Sequence, residues 1–362
     1  MKTEQGYSDF SLTLLRWYGE NGRSLPWRET RDPYAIWLSE IILQQTRVQQ
    51  GWAYWERFMH RWPTVELLAS ATEDEVLREW QGLGYYSRAR NLHFAARQIV
   101  EMGGFPQTLE GIRRLKGVGD YTAAAIGSMA FDLPAAVVDG NVYRVLARHF
   151  AIATPINSTE GKKEFAALAQ ELLPQQQAAA YNQAIMDFGA IQCTPQSPRC
   201  LLCPLQESCS ALREGRIDEL PVKLKTVKVR ERRLSYIYIR YKGQTAIRRR
   251  GKGDIWEGLW EPWSLPLSPS NWRGDGCALE SPLQLEGDRG RPFRGRLGLV
   301  CKDFRHVLTH QVLLCDFYLW EPEERPALNE DYRWVDEAAL DDYALPRMIE
   351  LLLKKLPEKH VL

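Results

Sequence analysis

Four cysteines, Cys193, Cys200, Cys203 and Cys209, crowd one short loop of a 362-residue chain that holds only three others. Their spacing, C-x6-C-x2-C-x5-C, gathers four soft thiolate ligands. Tetrahedral sulfur suits zinc and iron-sulfur alike. Structural zinc usually draws on two separated knuckles, however, so a single loop favours a cubane of the 4Fe-4S type. A second chemical signal is a carboxylate in apolar company: Glu40 interrupts AIWLSEIILQQT. A buried, unpaired carboxylate is costly and tends to keep its proton; the bland alternative is a salt bridge to an arginine. The third is Asp139, which in PAAVVDGNVYRVLARHF stands where an amphipathic helix begins. Helix amides and the dipole favour an ionised carboxylate there, although an isolated Asp reads equally as a plain N-cap.

The elements that must position these groups are legible as patterns. From about residue 8 to 215 helices follow one another. Asp32 can cap, and Pro33 open, the helix that carries Glu40. That helix is apolar on nearly every side and should be buried. Thr72 caps TEDEVLREWQGLG, and GKKEFAALAQELL and YNQAIMDFGAI repeat the three- and four-residue spacing. TLEGIRRLKGVGDYTAAAIGSMAF reads as helix, tight turn, helix. Gly117 and Gly119, flanking Val118, allow a close backbone approach, and the amides opening the next helix suit a phosphate. An ordinary connector fits that turn as well. Around REGRIDELPVKLKTVKVRERR the chain turns charged and Pro-containing; LSYIYIRYKGQTAIRRR then predicts a β-hairpin about a Lys-Gly turn. A second strand pair fits CKDFRHVLTHQVLLCDFYLW, a closing helix fits PRMIELLLKKL, and residues 264 to 295 read as loop. The expectation is an all-α domain, residues 1–216, a linker, 217–232, and a smaller α/β domain, 233–362.

Composition excludes more than it selects. With 47 basic and 46 acidic residues and net charge +1, any nucleic-acid binding must come from local patches and backbone groups. The first residues lack the apolar core of a signal peptide, and no run is long enough to span a membrane. A soluble cytoplasmic protein without disulfides is expected.

The cysteine spacing resembles the cluster loop of the endonuclease III and adenine glycosylase superfamily. There the cluster organises a loop whose basic residues touch DNA phosphates, which points to Arg199. An Asp lying as far beyond the hairpin as Asp139 does is essential in that superfamily. Members of the endonuclease III branch carry a Lys where this chain has Tyr121, and without an amine the Schiff-base route to strand cleavage is closed. The stretches LPWR, WLSEIILQQTRV and GLGYYSRARNLH resemble adenine DNA glycosylases of the MutY type, from about Trp17 to Cys209. GLWEPW and FRHVLTH look like the nudix-related domain of that family, although no metal-binding box of clustered glutamates is present.

The resemblance implies removal of adenine mispaired with 8-oxoguanine or guanine in double-stranded DNA. The flipped adenine is protonated by Glu40, and Asp139 stabilises the sugar cation or bonds to it transiently. Tyr121 and Asn141 support the pair, and Arg28 lines the adenine pocket. Gln45, Leu83 and Tyr85 match residues that fill the stack or touch the opposite strand, with Gln44 and Thr46 beside them, and Arg88 reads as a phosphate contact or, equally, a solvated helix face. A monovalent cation is expected at the hairpin turn, and Leu308, Thr309 and His310 stand where the family commonly reads Phe-Ser-His to sense 8-oxoguanine. Thr309 keeps a hydroxyl that donates and accepts. A bacterial monomer at work on the nucleoid follows from the same likeness. Two other readings are a bifunctional pyrimidine glycosylase and lyase, which Tyr121 opposes, and a noncatalytic iron-sulfur DNA-binding protein, which the two carboxylates oppose.

Overall fold

The computed structural model describes residues 8–224, 229–264 and 294–357. The segment expected to be loop, 264 to 295, lies almost wholly outside them. Contacts divide the chain into two compact units, Met1–Ala71 with Asn91–Thr226 and Thr72–Arg90 with Val227–Leu362.

The first unit is helical. Asp32 accepts a hydrogen bond from Tyr34 N at 3.0 Å and Pro33 takes the first position of the Pro33–Leu43 helix. Every residue from Tyr34 to Ile42 is buried, as an all-round apolar surface requires. This helix packs on the Asp120–Phe131 helix, where Ala123, Ala124 and Ala125 leave room for a close approach. The Leu109–Arg113 helix precedes it across the hairpin turn. Gly117 has φ +80°, and a Cβ there would stand 2.8 Å from Asn91 Cβ, so both backbone and space demand glycine. Gly119 has an ordinary φ of −97° and open space around it. The Gly140–His149 helix follows, and the Ala178–Asp187 helix widens into a π turn, Phe188–Gln192, that delivers the chain to Cys193.

The second unit is built on a six-stranded sheet of β1 (Arg230–Ile239), β2 (Gln244–Arg249), β3 (Trp260–Ser264), β4 (Arg296–Val307), β5 (Gln311–Glu321) and β6 (Tyr332–Asp336), in the order β4-β5-β1-β3-β2-β6. β1 and β5 run parallel and the other pairs antiparallel. The hairpin predicted from LSYIYIRYKGQTAIRRR needs correction. Lys242 and Gly243 do turn the chain at positive φ, and Tyr241 bridges Gln244, but β3 enters between β1 and β2 and takes up their ladder groups. Only the local turn was encoded locally. β4 and β5 do pair across the Leu308–His310 turn. The Arg347–Leu353 helix sets Met348, Ile349 and Leu352 into a core with Tyr236, Tyr238 and Phe317. The Glu73–Glu79 helix belongs to this unit and opens with a capping box between Thr72 and Glu75. No helix of the described residues is long and apolar enough to cross a membrane.

Candidate active site

Glu40 lies two thirds of the way along its buried helix and is 8% exposed. Burial pushes its carboxyl up to about 7, against the lowering effects of the Tyr121 hydroxyl and the Arg28 guanidinium. Asp139 adds to the rise. Tyr121, on the neighbouring helix, places its hydroxyl between Glu40 and Met186, 3.6 Å from Met186 Sδ.

Arg28 does not pair with Glu40. Its Nη1 and Nη2 donate to Asp187 Oδ2 and Oδ1 at 2.8 and 2.9 Å, and Arg23 holds the same carboxylate through its backbone N and Nε, both at 2.9 Å. Arg23 Nη2 adds a fifth bond, to Oδ1 at 2.5 Å; Asp187 is fully buried, and the two arginines hold its carboxyl below the ordinary range despite burial. Arg28 therefore bears on Glu40 as a fixed positive field without quenching it. Asp187 and Arg23 went unnoticed in the sequence, although Asp187 in YNQAIMDFGAI gives the same signal as Glu40, an acid in an apolar helix. We expect Asp187→Asn to cost about 3–5 kcal/mol, since two guanidiniums lose their partner. Calorimetry would read the loss as a lowered Tm.

Asp139 caps the Gly140–His149 helix. Its Oδ1 accepts Asn141 N at 2.9 Å and Val142 N at 2.8 Å, and its Oδ2 accepts Asn141 Nδ2 at 2.9 Å. Burial raises its carboxyl while these donors and Arg144 oppose the rise. All three donors favour the ionised form, the state in which the group can face a cation. Asn141 is in turn held by Arg144, whose Nη2 donates to Asn141 Oδ1 at 2.8 Å and to Gly189 O at 2.6 Å. Arg144 Nε donates to Cys193 O at 2.7 Å, so the support of Asp139 continues into the cysteine loop. One turn on, Arg148 donates to Thr194 O at 2.7 Å and to Cys193 Sγ at 3.5 Å. Neither arginine was singled out from sequence.

The loop's four thiols are free. Among the described residues no three His, Cys, Asp or Glu side chains are spaced for a single ion. Burial and neighbouring thiolates push Cys203 up to about 11, and Cys200 and Cys209 rise for the same reasons. Amides of Leu205, Ala211 and Leu212 act the other way on Cys203 and Cys209. Four thiols that feel one another's charge, with backbone donors at Cys203 and Cys209, suit an iron-sulfur cluster, which would draw the protons off. Arg199 is exposed on this loop.

At the far end of the Glu40 helix, Gln44 donates to Thr122 Oγ1 at 3.3 Å and Thr46 bonds back to Gln44 O at 3.4 Å. Gln45 is exposed with φ +56°, a left-handed backbone that costs a non-glycine residue energy. In the second unit Tyr85 does the same at φ +47°, beside buried Leu83. Arg88, expected at a phosphate, is instead buried; its Nη2 donates to Leu83 O and Gly84 O at 3.4 and 3.3 Å, and its guanidinium lies 5.1 Å from the Trp80 ring centre. It props the loop that presents Leu83 and Tyr85. Val118 is buried, whereas Gly117 and Gly119 are exposed at the hairpin turn. Leu308, Thr309 and His310 form the β4–β5 turn, with Thr309 and His310 exposed.

Residues 38–175 match the HhH-GPD superfamily of base excision DNA repair proteins, residues 193–209 the iron-sulfur binding domain of endonuclease III, and residues 235–355 a NUDIX domain. Fold and matches together define a helix-hairpin-helix chain with an iron-sulfur binding loop and a C-terminal nudix-like domain. The adenine DNA glycosylase of Rattus norvegicus is 46% identical over 226 residues, 59% of this chain and 44% of its own length. That of Buchnera aphidicola subsp. Schizaphis graminum is 35% identical over 253 residues, covering 69% of this chain and 73% of its own. A solved thermostable thymine-DNA glycosylase covers 57% of this chain and 95% of its own, with TM-score 0.53 and 33% identity. The chain belongs to the adenine DNA glycosylase family; it spans less than half the length of the rat relative.

Proposed function

We propose that this chain is a monofunctional adenine DNA glycosylase that hydrolyses the N-glycosidic bond of adenine opposite 8-oxoguanine, or guanine, in duplex DNA. The observation that carries the reading is the pair of carboxyls: Glu40 raised to about 7 in an apolar helix, and Asp139 held by three donors at a helix start.

The adenine nucleotide leaves the stack for a pocket beside Glu40 and Arg28. Glu40 gives its proton to adenine N7, the C1′–N9 bond breaks, and its electrons leave with the neutral base. Asp139 faces the positive charge that develops on the sugar, or closes a transient ester to it. Tyr121 and Asn141 hold the two carboxyls in place. A water supplies hydroxide to C1′ and returns its proton to Glu40, leaving an abasic site. Gln44, Gln45, Thr46, Leu83 and Tyr85 fill the vacated stack, and the Gly117–Val118–Gly119 amides, with a monovalent cation, and Arg199 hold phosphates. Arg88 acts through the Leu83–Tyr85 loop. Leu308, Thr309 and His310 read the opposite 8-oxoguanine. The cluster supplies a fixed scaffold for its loop, and the chain works as a monomer, its catalytic domain ending near residue 216 and its lesion-reading domain beginning near 233.

In a single-turnover assay on A:8-oxoguanine, A:G and A:C duplexes we expect adenine release fastest from the first and slowest from the last. No release from any of them sinks the reading. Because the general acid must be protonated, the rate is expected to fall tenfold per pH unit well above about 7; a rate that keeps rising through pH 9 removes Glu40 from that role. With Tyr121 in place of an amine, borohydride should trap no efficient covalent complex with the substrate duplex. A strong adduct points to the pyrimidine glycosylase and lyase instead.

A further inference from the structure

The Thr72–Arg90 segment sits in sequence among the helices of the first unit, yet its contacts place it in the second. Polar groups along its whole length hold it there. Arg249, the last residue of β2, is aimed by a 3.0 Å bond from Nε to Gly258 O. Its Nη2 stands 2.8 Å from Glu73 Oε1 and 3.1 Å from Asp74 Oδ1, in the first turn of the Glu73–Glu79 helix. Arg78 reaches Asp342 at 3.0 Å, Gln81 donates to Glu350, and Arg90 lies 3.6 Å from the Glu257 carboxylate. Gly258, at φ +81°, lies against this helix, where a side chain would strain the backbone although a Cβ would meet Glu73 Oε1 and Leu77 Cδ1 only at ordinary contact, 3.4 Å. On the same segment, Tyr85 Oη meets Thr309 Oγ1 in the β4–β5 turn.

We propose that Arg249, clasping Glu73 and Asp74, is a positioning residue for recognition of the base opposite adenine: it seats the helix from which the Leu83–Tyr85 loop hangs, and so keeps Tyr85 against Thr309 as one reading surface. The inference rests on the glycosylase reading above. Arg249 bonds to Gly258, Glu73 and Asp74 and acts on Tyr85 through the helix. A single exposed pair contributes little, but Arg249 answers two adjacent carboxylates, and reversing its charge would bring three negative groups together.

The test uses the full chain carrying Arg249→Glu, and the same change combined with Glu73→Arg and Asp74→Arg. Arg249→Glu should lower the ratio of single-turnover rates, A:8-oxoguanine over A:G, by about tenfold, equivalent to about 1.4 kcal/mol, with the A:G rate itself within about twofold. The charge swap should restore the ratio. An unchanged ratio, or both rates falling together without rescue, overturns the proposal. Hydrogen exchange of residues 72–90 gives a reading independent of activity: protection should drop in Arg249→Glu and return in the swap. If the unaltered chain releases no adenine, the glycosylase reading fails, and exchange still decides whether Arg249 seats the segment; unaltered protection overturns that too.

Discussion

Glu40→Gln is expected to slow adenine release by about 10²–10⁴-fold at pH 7, the range associated with loss of a positioned general acid. Glutamine keeps the shape and the hydrogen-bonding capacity but has no proton to give. The protein should fold as before, so the loss belongs to chemistry. A rate within threefold of the unaltered protein would remove Glu40 from the mechanism. The same substitution carries an opposite effect on stability. Glu40 holds its proton up to about 7 when folded but only to 4.5, its ordinary value, when unfolded. Between those values the folded state binds a proton that the unfolded chain has released, so stability falls as pH rises through the window and is flat above it. The loss is about 3 kcal/mol at 1.36 kcal/mol per unit. Urea titrations at pH 5 and pH 8 should show Glu40→Gln gaining on the parent at the higher pH only.

Asp139→Asn should be nearly as damaging, about 10²–10³-fold, with little change in Tm. Asparagine caps a helix about as well as aspartate, and its Oδ1 can still accept the amides of Asn141 and Val142. What disappears is the charge that faces the sugar cation, any ester to C1′, and the bond from Asn141 Nδ2, which would meet an amide NH2 in place of Oδ2. A large fall in Tm with proportionate loss of activity would instead make Asp139 a cap and nothing more.

Much of this site was legible because its signals are local. Asp32, Thr72 and Asp139 cap helices as their neighbours in sequence dictate, and Glu40 is conspicuous because every residue around it is apolar. The cysteine spacing and the Gly117 turn are local too. The parts that were not legible depend on contacts between distant residues. Asp187 meets Arg23 and Arg28 across more than 150 positions, and nothing near YNQAIMDFGAI says which arginine it takes. β3 enters between two strands that a short turn would have paired. Arg88 looked like a solvated helix face or a phosphate contact, and only packing against Trp80 puts it inside. The assignment of residues 72–90 to the second unit is of the same kind, since a helix pattern carries no address.

Gln45 and Tyr85 both hold left-handed backbone conformations, and this sets a limit for anyone who would make the protein hardier. Each position is an obvious target for glycine, which would relieve on the order of 1 kcal/mol of strain. Each is also an exposed side chain that the proposed mechanism sends into the DNA stack. A stabilised variant chosen by heat resistance alone would therefore be drawn toward blunting both tips, and a screen meant to preserve repair should be scored on mispaired DNA from its first round.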